Sequence, residues 1–316
     1  MTGDVIALES VYAAAERVAG RLHRTPMVEA ETLNERFGGR FTLKAELFQK
    51  TGSYKVRGIL NKVLTLTADE RARGVITLSA GNAAGSLAWA ARAAGIPATV
   101  VMPAGAVPAK VEAARAYGAE VVLAEGDLLA AYEGLRDERD LTAVHPFDDP
   151  EVIAGAGTVG LELVADRPDL DTVLVPIGGG GLISGVSLVI KRLLPSARVI
   201  GIEPIGADVV SRSLASGIPE KLPTARSVAD GLAAPMCGVH TLAHIQQYVD
   251  EVVRVSEESL VEATRLVMSR TKLALEPAAA APFAALLEGA ITLRPGALTA
   301  CVISGGNLDV TTVLTS

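Results

Sequence analysis

The stretch Thr172-Val173-Leu174-Val175-Pro176-Ile177, followed at once by Gly178-Gly179-Gly180-Gly181 and then Leu182-Ile183-Ser184-Gly185, decides how the chain must fold. A short β-branched apolar run reads as a buried strand, and Gly181 to Leu194 reads as a helix, so the glycines stand at a strand-to-helix turn. Glycine lets the backbone bend sharply and lets peptide N–H groups approach an anion, while the helix N-terminus adds partial positive charge. A tight turn alone needs one or two glycines. Four in a row predict a phosphate site.

The same rhythm extends outward in both directions. Before it, Gly74 to Leu78, Ala98 to Met102 and Glu120 to Leu123 read as strands, each followed by a helical segment: Asn82 to Ala94, Pro108 to Tyr117 and Asp127 to Glu138. Around it come helix Val152 to Ala165, strand Arg198 to Glu203, helices Glu257 to Arg270 and Glu276 to Glu288, and strand Leu298 to Ser304. Strands separated by helical crossovers predict mainly parallel sheets. The pattern breaks at His145-Pro146-Phe147-Asp148-Asp149-Pro150, so two α/β domains with a cleft between them are expected. The stretch from Gly217 to Gly238 reads as a long loop that helps wall the cleft.

Composition agrees. In 316 residues, 49% are hydrophobic and only 3% aromatic, with 31 glycines, so the core is built mainly from small and aliphatic side chains. A formal charge of −7 without a basic cluster argues against nucleic acid. No apolar run reaches the roughly 20 residues that span a bilayer, and Met1 to Ser10 lacks the features of a targeting peptide. Cys237 and Cys301 show neither paired spacing nor a secretory context. A soluble cytoplasmic protein with a small-molecule ligand is expected.

Three further features stand beside the glycine run. Lys55, in Thr51-Gly52-Ser53-Tyr54-Lys55-Val56-Arg57-Gly58, is flanked by small, aromatic and apolar residues, surroundings that lower an amine's pKa and make it nucleophilic. Ser79-Ala80-Gly81-Asn82 ends a strand and opens a helix, a place suited to a carboxylate and also to a helix cap. Ser304-Gly305-Gly306-Asn307 follows a late apolar strand. Taken alone, Gly179-x-Gly181-x-x-x-Gly185 with Glu203 about 20 residues on is close to a dinucleotide fingerprint, which keeps an NAD-dependent dehydrogenase open. A non-catalytic amino acid binding protein remains open as well.

In this order and at these separations, the features resemble the fold-type II pyridoxal-phosphate enzymes, in particular the serine/threonine dehydratase and serine racemase branch. The resemblance covers nearly the whole chain and includes His23-Arg24-Thr25-Pro26, Lys44-Ala45-Glu46-Leu47-Phe48-Gln49, Val101-Met102-Pro103, Val152-Ile153-Ala154-Gly155, Ala229-Asp230-Gly231 and Glu276-Pro277. It implies two open parallel-sheet α/β domains with the active site in the cleft between them. Residues 1-66 and 148-316 would form the large cofactor-binding domain, and 67-147 the small one. Pyridoxal 5'-phosphate would form a Schiff base with Lys55, with its phosphate on Gly178, Gly179, Gly180, Gly181 and Leu182. Asn82 would stand near its 3-hydroxyl, Ser304 at its pyridine nitrogen, and Tyr54 and Gly231 on its two faces. Ser79, Ala80 and Gly81 would grip the substrate carboxylate. The implied reaction is loss of water from a 3-hydroxy amino acid of the threonine/serine type, giving a 2-oxo acid and ammonia. Amino acid racemisation is the alternative within the family.

Departures from the family pattern carry further expectations. The racemase pattern has a second serine at position 80, where this chain has Ala80, so elimination is favoured. Ala83 and Ala156 replace larger polar residues and imply room for a substrate bigger than serine or threonine. The resemblance also implies a divalent cation such as Mg2+ held by Glu203 and Ala207, with Val209 standing where a third ligand belongs. A homodimer or higher homo-oligomer is implied too. Because the chain ends at Ser316, the regulatory domain of some threonine dehydratases is expected to be absent.

Overall fold

A computed structural model describes residues 5–308. The two ends, on which the expectations of no leader and no C-terminal extension rest, lie outside the described residues. The chain opens with α1 (Leu8–Val18), β1 (Met27–Glu29), α2 (Glu31–Phe37), β2 (Arg40–Ala45) and α3 (Lys55–Thr65). It continues through α4 (Ala68–Arg73), β3 (Val75–Leu78), α5 (Asn82–Ala94), β4 (Ala98–Pro103), α6 (Pro108–Ala116), β5 (Glu120–Ala124), α7 (Leu128–Glu138) and β6 (Thr142–Ala143). Then come α8 (Pro150–Asp166), β7 (Thr172–Pro176), α9 (Gly181–Leu193), β8 (Arg198–Pro204), α10 (Val209–Ser216), α11 (Val239–Tyr248) and β9 (Glu251–Val255). The last elements are α12 (Glu257–Thr271), α13 (Pro277–Leu287) and β10 (Leu298–Ile303).

Two sheets result. One has the order β1-β2-β10-β7-β8-β9 and the other β5-β4-β3-β6. Every pairing is parallel except β1 with β2, an antiparallel edge that the mainly parallel expectation did not single out. Strands β7 and β10 are buried along their whole length, as parallel strands covered by helices on both faces must be. The stretch from Gly217 to Gly238 holds no helix longer than a turn at Asp230–Leu232, and an isolated bridge between Lys221 and Met236 pins it.

Helix α3 joins the two halves. Its Ile59, Leu60 and Val63 enter the apolar core of the four-stranded sheet, beside Leu87 and Val100. Its other side lies against α8 through glycine: a Cβ on Gly155 would come within 2.5 Å of the Arg57 carbonyl oxygen and 2.6 Å of Gly58 Cα. The opposite flank of α8 meets α9 the same way, since a Cβ on Gly185 would lie 2.4 Å from both Gly157 N and the Ile153 carbonyl. Helix α8 is thus pressed backbone to backbone between α3 and α9.

The linker ahead of α8 is also held. Asp149 caps that helix by accepting from Glu151 N and Val152 N. Asp148 accepts from the N–H groups of Val239, His240 and Thr241 at the start of α11, at 2.9–3.1 Å. His145 Nδ1 accepts from Asp148 N at 2.8 Å, and burial holds the imidazole below its ordinary pKa.

Because the α3–α8 seam has no room for a side chain, Gly155→Ala should lower the unfolding free energy by about 1–3 kcal/mol, the usual range for overpacking. The measurement is the midpoint of urea unfolding. Gly134→Ala in α7, where an added Cβ meets nothing within 4 Å, should leave the midpoint level or raise it slightly.

Candidate active site

Lys55 is the first residue of α3 and is half-buried. Its Nζ donates to the Pro146 carbonyl at 2.9 Å and lies 5.3 Å from the ring centre of Tyr54 and 5.8 Å from that of Phe147. Burial lowers its pKa to about 8, and the carboxylate of Glu276 pulls the other way without restoring the ordinary value. At pH 7 about a tenth of such an amine is neutral, against well under a thousandth for a solvated lysine.

The glycine run forms the turn between β7 and α9. Among the described residues, the peptide N–H groups of Gly178, Gly179, Gly180, Gly181 and Leu182 donate to no protein acceptor, although all but Gly178 are buried. Buried N–H groups without acceptors are costly and call for an anion. The backbone takes φ +92° at Gly180, a left-handed conformation suited to glycine. A Cβ on Gly179 would lie 2.5 Å from the Phe147 ring, so that ring can pack over the turn only because no side chain is there.

The turn at Ser79-Ala80-Gly81 runs from β3 to α5. Ser79 Oγ accepts from Gly81 N at 3.1 Å, and the N–H groups of Ala80, Asn82 and Ala83 find no acceptor among the described residues. Asn82 bonds Glu276: its Nδ2 donates to Glu276 Oε1 at 2.8 Å. Ser304 is buried, and its carbonyl accepts from Tyr54 N at 3.0 Å. Gly231 sits close by, its Cα bearing toward Ala278 and Glu276. The fully buried Ser53 Oγ has no hydrogen-bond partner among the described residues. The residues singled out in the sequence therefore gather around one place, between the end of β3, the start of α3 and the start of α9.

Sequence reasoning quoted Glu276 within a motif but gave it no role. It is 4% exposed, and its pKa is pushed up to about 7 by burial and by the Asp230 carboxylate, against the pull of Asn82, Lys110 and Lys55. Tyr54 is held well above its ordinary pKa by burial and by Glu276, so its phenol stays neutral. The only local signal for Glu276 was an acid directly ahead of Pro277 and an alanine run, which reads equally well as a helix start.

A second group was given no role either, although Lys44, Glu46 and Arg57 lie within quoted motifs. Arg57 is 2% exposed and forks onto Glu46 at 2.7 and 2.8 Å and onto Glu162 at 2.7 and 3.0 Å. Lys44, also buried, donates to Glu162 at 2.6 Å and to the Thr25 carbonyl at 2.7 Å. Burial would raise Glu162, yet Arg57 and Lys44 hold it below the usual carboxylate range. Two positive and two negative charges are balanced out of water, two residues along the chain from Lys55.

Other expectations fare differently. Both Glu203 oxygens are committed to the start of α10, accepting from Val210 N at 3.1 Å and Ser211 N at 2.8 Å, and the side chain is fully enclosed. It therefore offers no free carboxylate to a ribose, which removes the basis of the dehydrogenase reading. The same bonds occupy it as a metal ligand. Ala207 and Val209 are buried, Val209 within an apolar cluster. Among the described residues no group of three or more His, Cys, Asp or Glu is placed to hold a metal ion. Ala83 belongs to the apolar core of the small sheet, and Ala156 is fully buried in α8, so neither faces open solvent.

Two outcomes test this geometry. Arg57→Met leaves the buried Glu46 without its cation and Glu162 with Lys44 alone, and should cost about 3–5 kcal/mol, read from urea unfolding. Reaction of Lys55 in the cofactor-free protein with a small aldehyde, trapped by borohydride, should rise with pH through about 8. In Glu276→Gln that inflection should move to lower pH, because the lost carboxylate had been raising the lysine's pKa. An inflection near 10, the ordinary value for a lysine, would show that Lys55 is solvated.

Comparison with known proteins places this site in a family. The family model described as "Pyridoxal-phosphate dependent enzyme" matches residues 18–305. The L-threonine ammonia-lyase of Geobacter sulfurreducens is 43% identical over 306 residues, covering 96% of this chain and 76% of its own length. The serine racemase of Arabidopsis thaliana is 38% identical over 308 residues, covering 95% and 93% respectively. Among solved structures, the T.th. threonine deaminase superposes with a TM-score of 0.90 at 42% identity, over 96% of this chain and 99% of that one. With its two parallel-sheet units, its lysine and its glycine turn, the chain belongs to the pyridoxal-phosphate dependent enzymes.

Proposed function

We propose that this enzyme eliminates water from a 3-hydroxy amino acid of the threonine/serine type, releasing a 2-oxo acid and ammonia. The observation that carries the reading is Lys55, half-buried with its pKa drawn down to about 8 beside a turn of buried N–H groups that lack acceptors. A binding module has no need of such an amine. The residues fit the cofactor: Lys55 for its carbonyl carbon, Gly178 to Leu182 for its phosphate, Asn82 for its phenolic oxygen and Ser304 for its ring nitrogen. Tyr54 and Gly231 would flank the ring. When bound, the cofactor supplies an electron sink for the pair left at the substrate Cα.

The chain's own groups do the rest. The N–H groups of Ala80, Asn82 and Ala83, at the start of the 13-residue helix α5, suit the substrate carboxylate. Lys55 Nζ is the base that takes the Cα proton, and the Cβ–O bond breaks as the hydroxyl leaves with a proton. The enamine so formed takes up water and yields the 2-oxo acid and ammonia. Tyr54 and Phe147 beside Nζ keep water from it. Elimination needs a base on one face only, and Ala80 has no group to return a proton from the other.

By the same reading the large unit comprises residues 1-66 and 148-316, the small one 67-147, and the enzyme works as a cytoplasmic homodimer. No helix of the described residues is long and apolar enough to cross a membrane.

Lys55→Ala should reduce 2-oxo acid release by at least about a hundredfold, the lower bound for loss of a general base. The borohydride-reducible visible band should disappear with it. The parent should form 2-oxo acid from L-threonine or L-serine far faster than it forms the D-isomer, and Ala80→Ser should raise the racemised share, both followed by chiral chromatography. Rapid D-serine formation by the parent would sink the dehydratase reading.

A further inference from the structure

A chain of side-chain amides crosses from the six-stranded to the four-stranded unit beside Lys55. Asn307 Nδ2 donates both to the Thr51 carbonyl and to Asn82 Oδ1, each at 2.8 Å. Asn82 Nδ2 in turn donates to Glu276 Oε1 at 2.8 Å. The orientation of an amide is ambiguous only when its partners can play either role. A backbone carbonyl only accepts, so Thr51 fixes which end of Asn307 is nitrogen. That nitrogen fixes which end of Asn82 is oxygen, and the remaining end must face an acceptor, which Glu276 supplies. Every link agrees from the peptide at one end to the carboxyl group at the other.

We infer that Asn307 and Glu276 are a positioning pair that locks the Asn82 amide so that one N–H, and not its oxygen, is left to meet the cofactor's phenolic oxygen. The inference rests on the placement of Asn82 beside that oxygen. An amide has two N–H groups, and Glu276 takes one. In the reversed orientation an oxygen would face an oxygen that carries negative charge, and the contact would repel. Close packing supports the lock at both ends. A Cβ on Gly52 would lie 2.2 Å from Asn307 Oδ1, and one on Gly305 would lie 2.5 Å from Glu276 Oε1. Charged and titratable groups also face Glu276 from three other elements: Lys55 and Tyr54 at the start of α3, Lys110 on α6, and Asp230 in the turn before Leu232. Its acceptor role does not depend on ionisation, since a protonated carboxyl group still has a carbonyl oxygen for the Asn82 N–H.

The test compares Asn82→Ala, Asn307→Ala, Asn307→Asp and Glu276→Leu, with cofactor affinity measured by equilibrium dialysis and the visible absorption of the bound cofactor recorded across neutral and alkaline pH. Asn307 is exposed, so its variants leave the core intact even if Glu276→Leu fails to fold. Asn307→Ala should weaken cofactor binding about 2- to 12-fold, the spread for one net hydrogen bond. Asn307→Asp should weaken it more than Asn307→Ala, because a carboxylate would turn the Asn82 amide around. It should also move the pH midpoint of the band upward, since the phenolic oxygen loses its donor. A purely structural role for Asn307 predicts no such ordering and no change in midpoint. If Asn82→Ala weakens binding while Asn307→Asp and Asn307→Ala behave alike, the positioning pair is wrong. If Asn82→Ala itself leaves affinity and band unchanged, the placement of Asn82 is wrong and the inference falls with it.

Discussion

The guanidinium of Arg57, forked between Glu46 and Glu162, is the contact on which the arrangement of the site depends. Glu46 follows β2, Glu162 lies on α8 and Arg57 lies in the first turn of α3, so one planar group ties the end of β2 and the start of α3 to a helix 105 residues further along. Taking four charges out of water costs several kcal/mol per ion before any attraction returns it, and apolar residues of similar size often hold such a place as well or better. What the ions add is direction. A guanidinium satisfied on both edges has one pose, and the turn that carries it also carries Lys55, two residues earlier.

The glycines of α8 and α9 act in the same sense from the other side. With no side chains between backbones, α3, α8 and α9 cannot slide along one another without atoms overlapping. The lysine at the head of α3 and the glycine turn at the head of α9 are thereby held at a fixed offset, with α8 as the spacer. Asp148 on the start of α11 and Asp149 on the start of α8 hold the linker in register with this stack.

Much of this was readable in advance, and the limits follow from physics. Helix Asn82–Ala94 was read with its observed bounds and strand Thr172–Pro176 to within one residue, because glycines bracket the first and a β-branched run defines the second. Strand β2 was missed. Arg40-Phe41-Thr42-Leu43-Lys44-Ala45 places a lysine where a buried strand should have none, and the carboxylate that answers Lys44 stands at Glu162, more than a hundred residues away. Local pattern cannot report a charge neutralised at that distance. The same holds for Glu276, whose meaning comes from Asn82 across the cleft, and for Glu203, which looked like a ligand until the N–H groups of α10 were seen to occupy it.

The strand order of the larger sheet bears on how the protein is made. β10, the last strand among the described residues, lies between β2, among the first, and β7. During synthesis the early strands leave the ribosome with the edges that β10 will join still open, and they stay open until β10 itself has emerged. Unpaired strand edges carrying apolar side chains, such as Phe41 and Leu43 on β2 and Val173 and Val175 on β7, invite wrong partners. The middle of the sheet is thus closed by a strand delivered after all its neighbours, and a nascent chain stopped short of Leu298 has two half-sheets and no seam to join them.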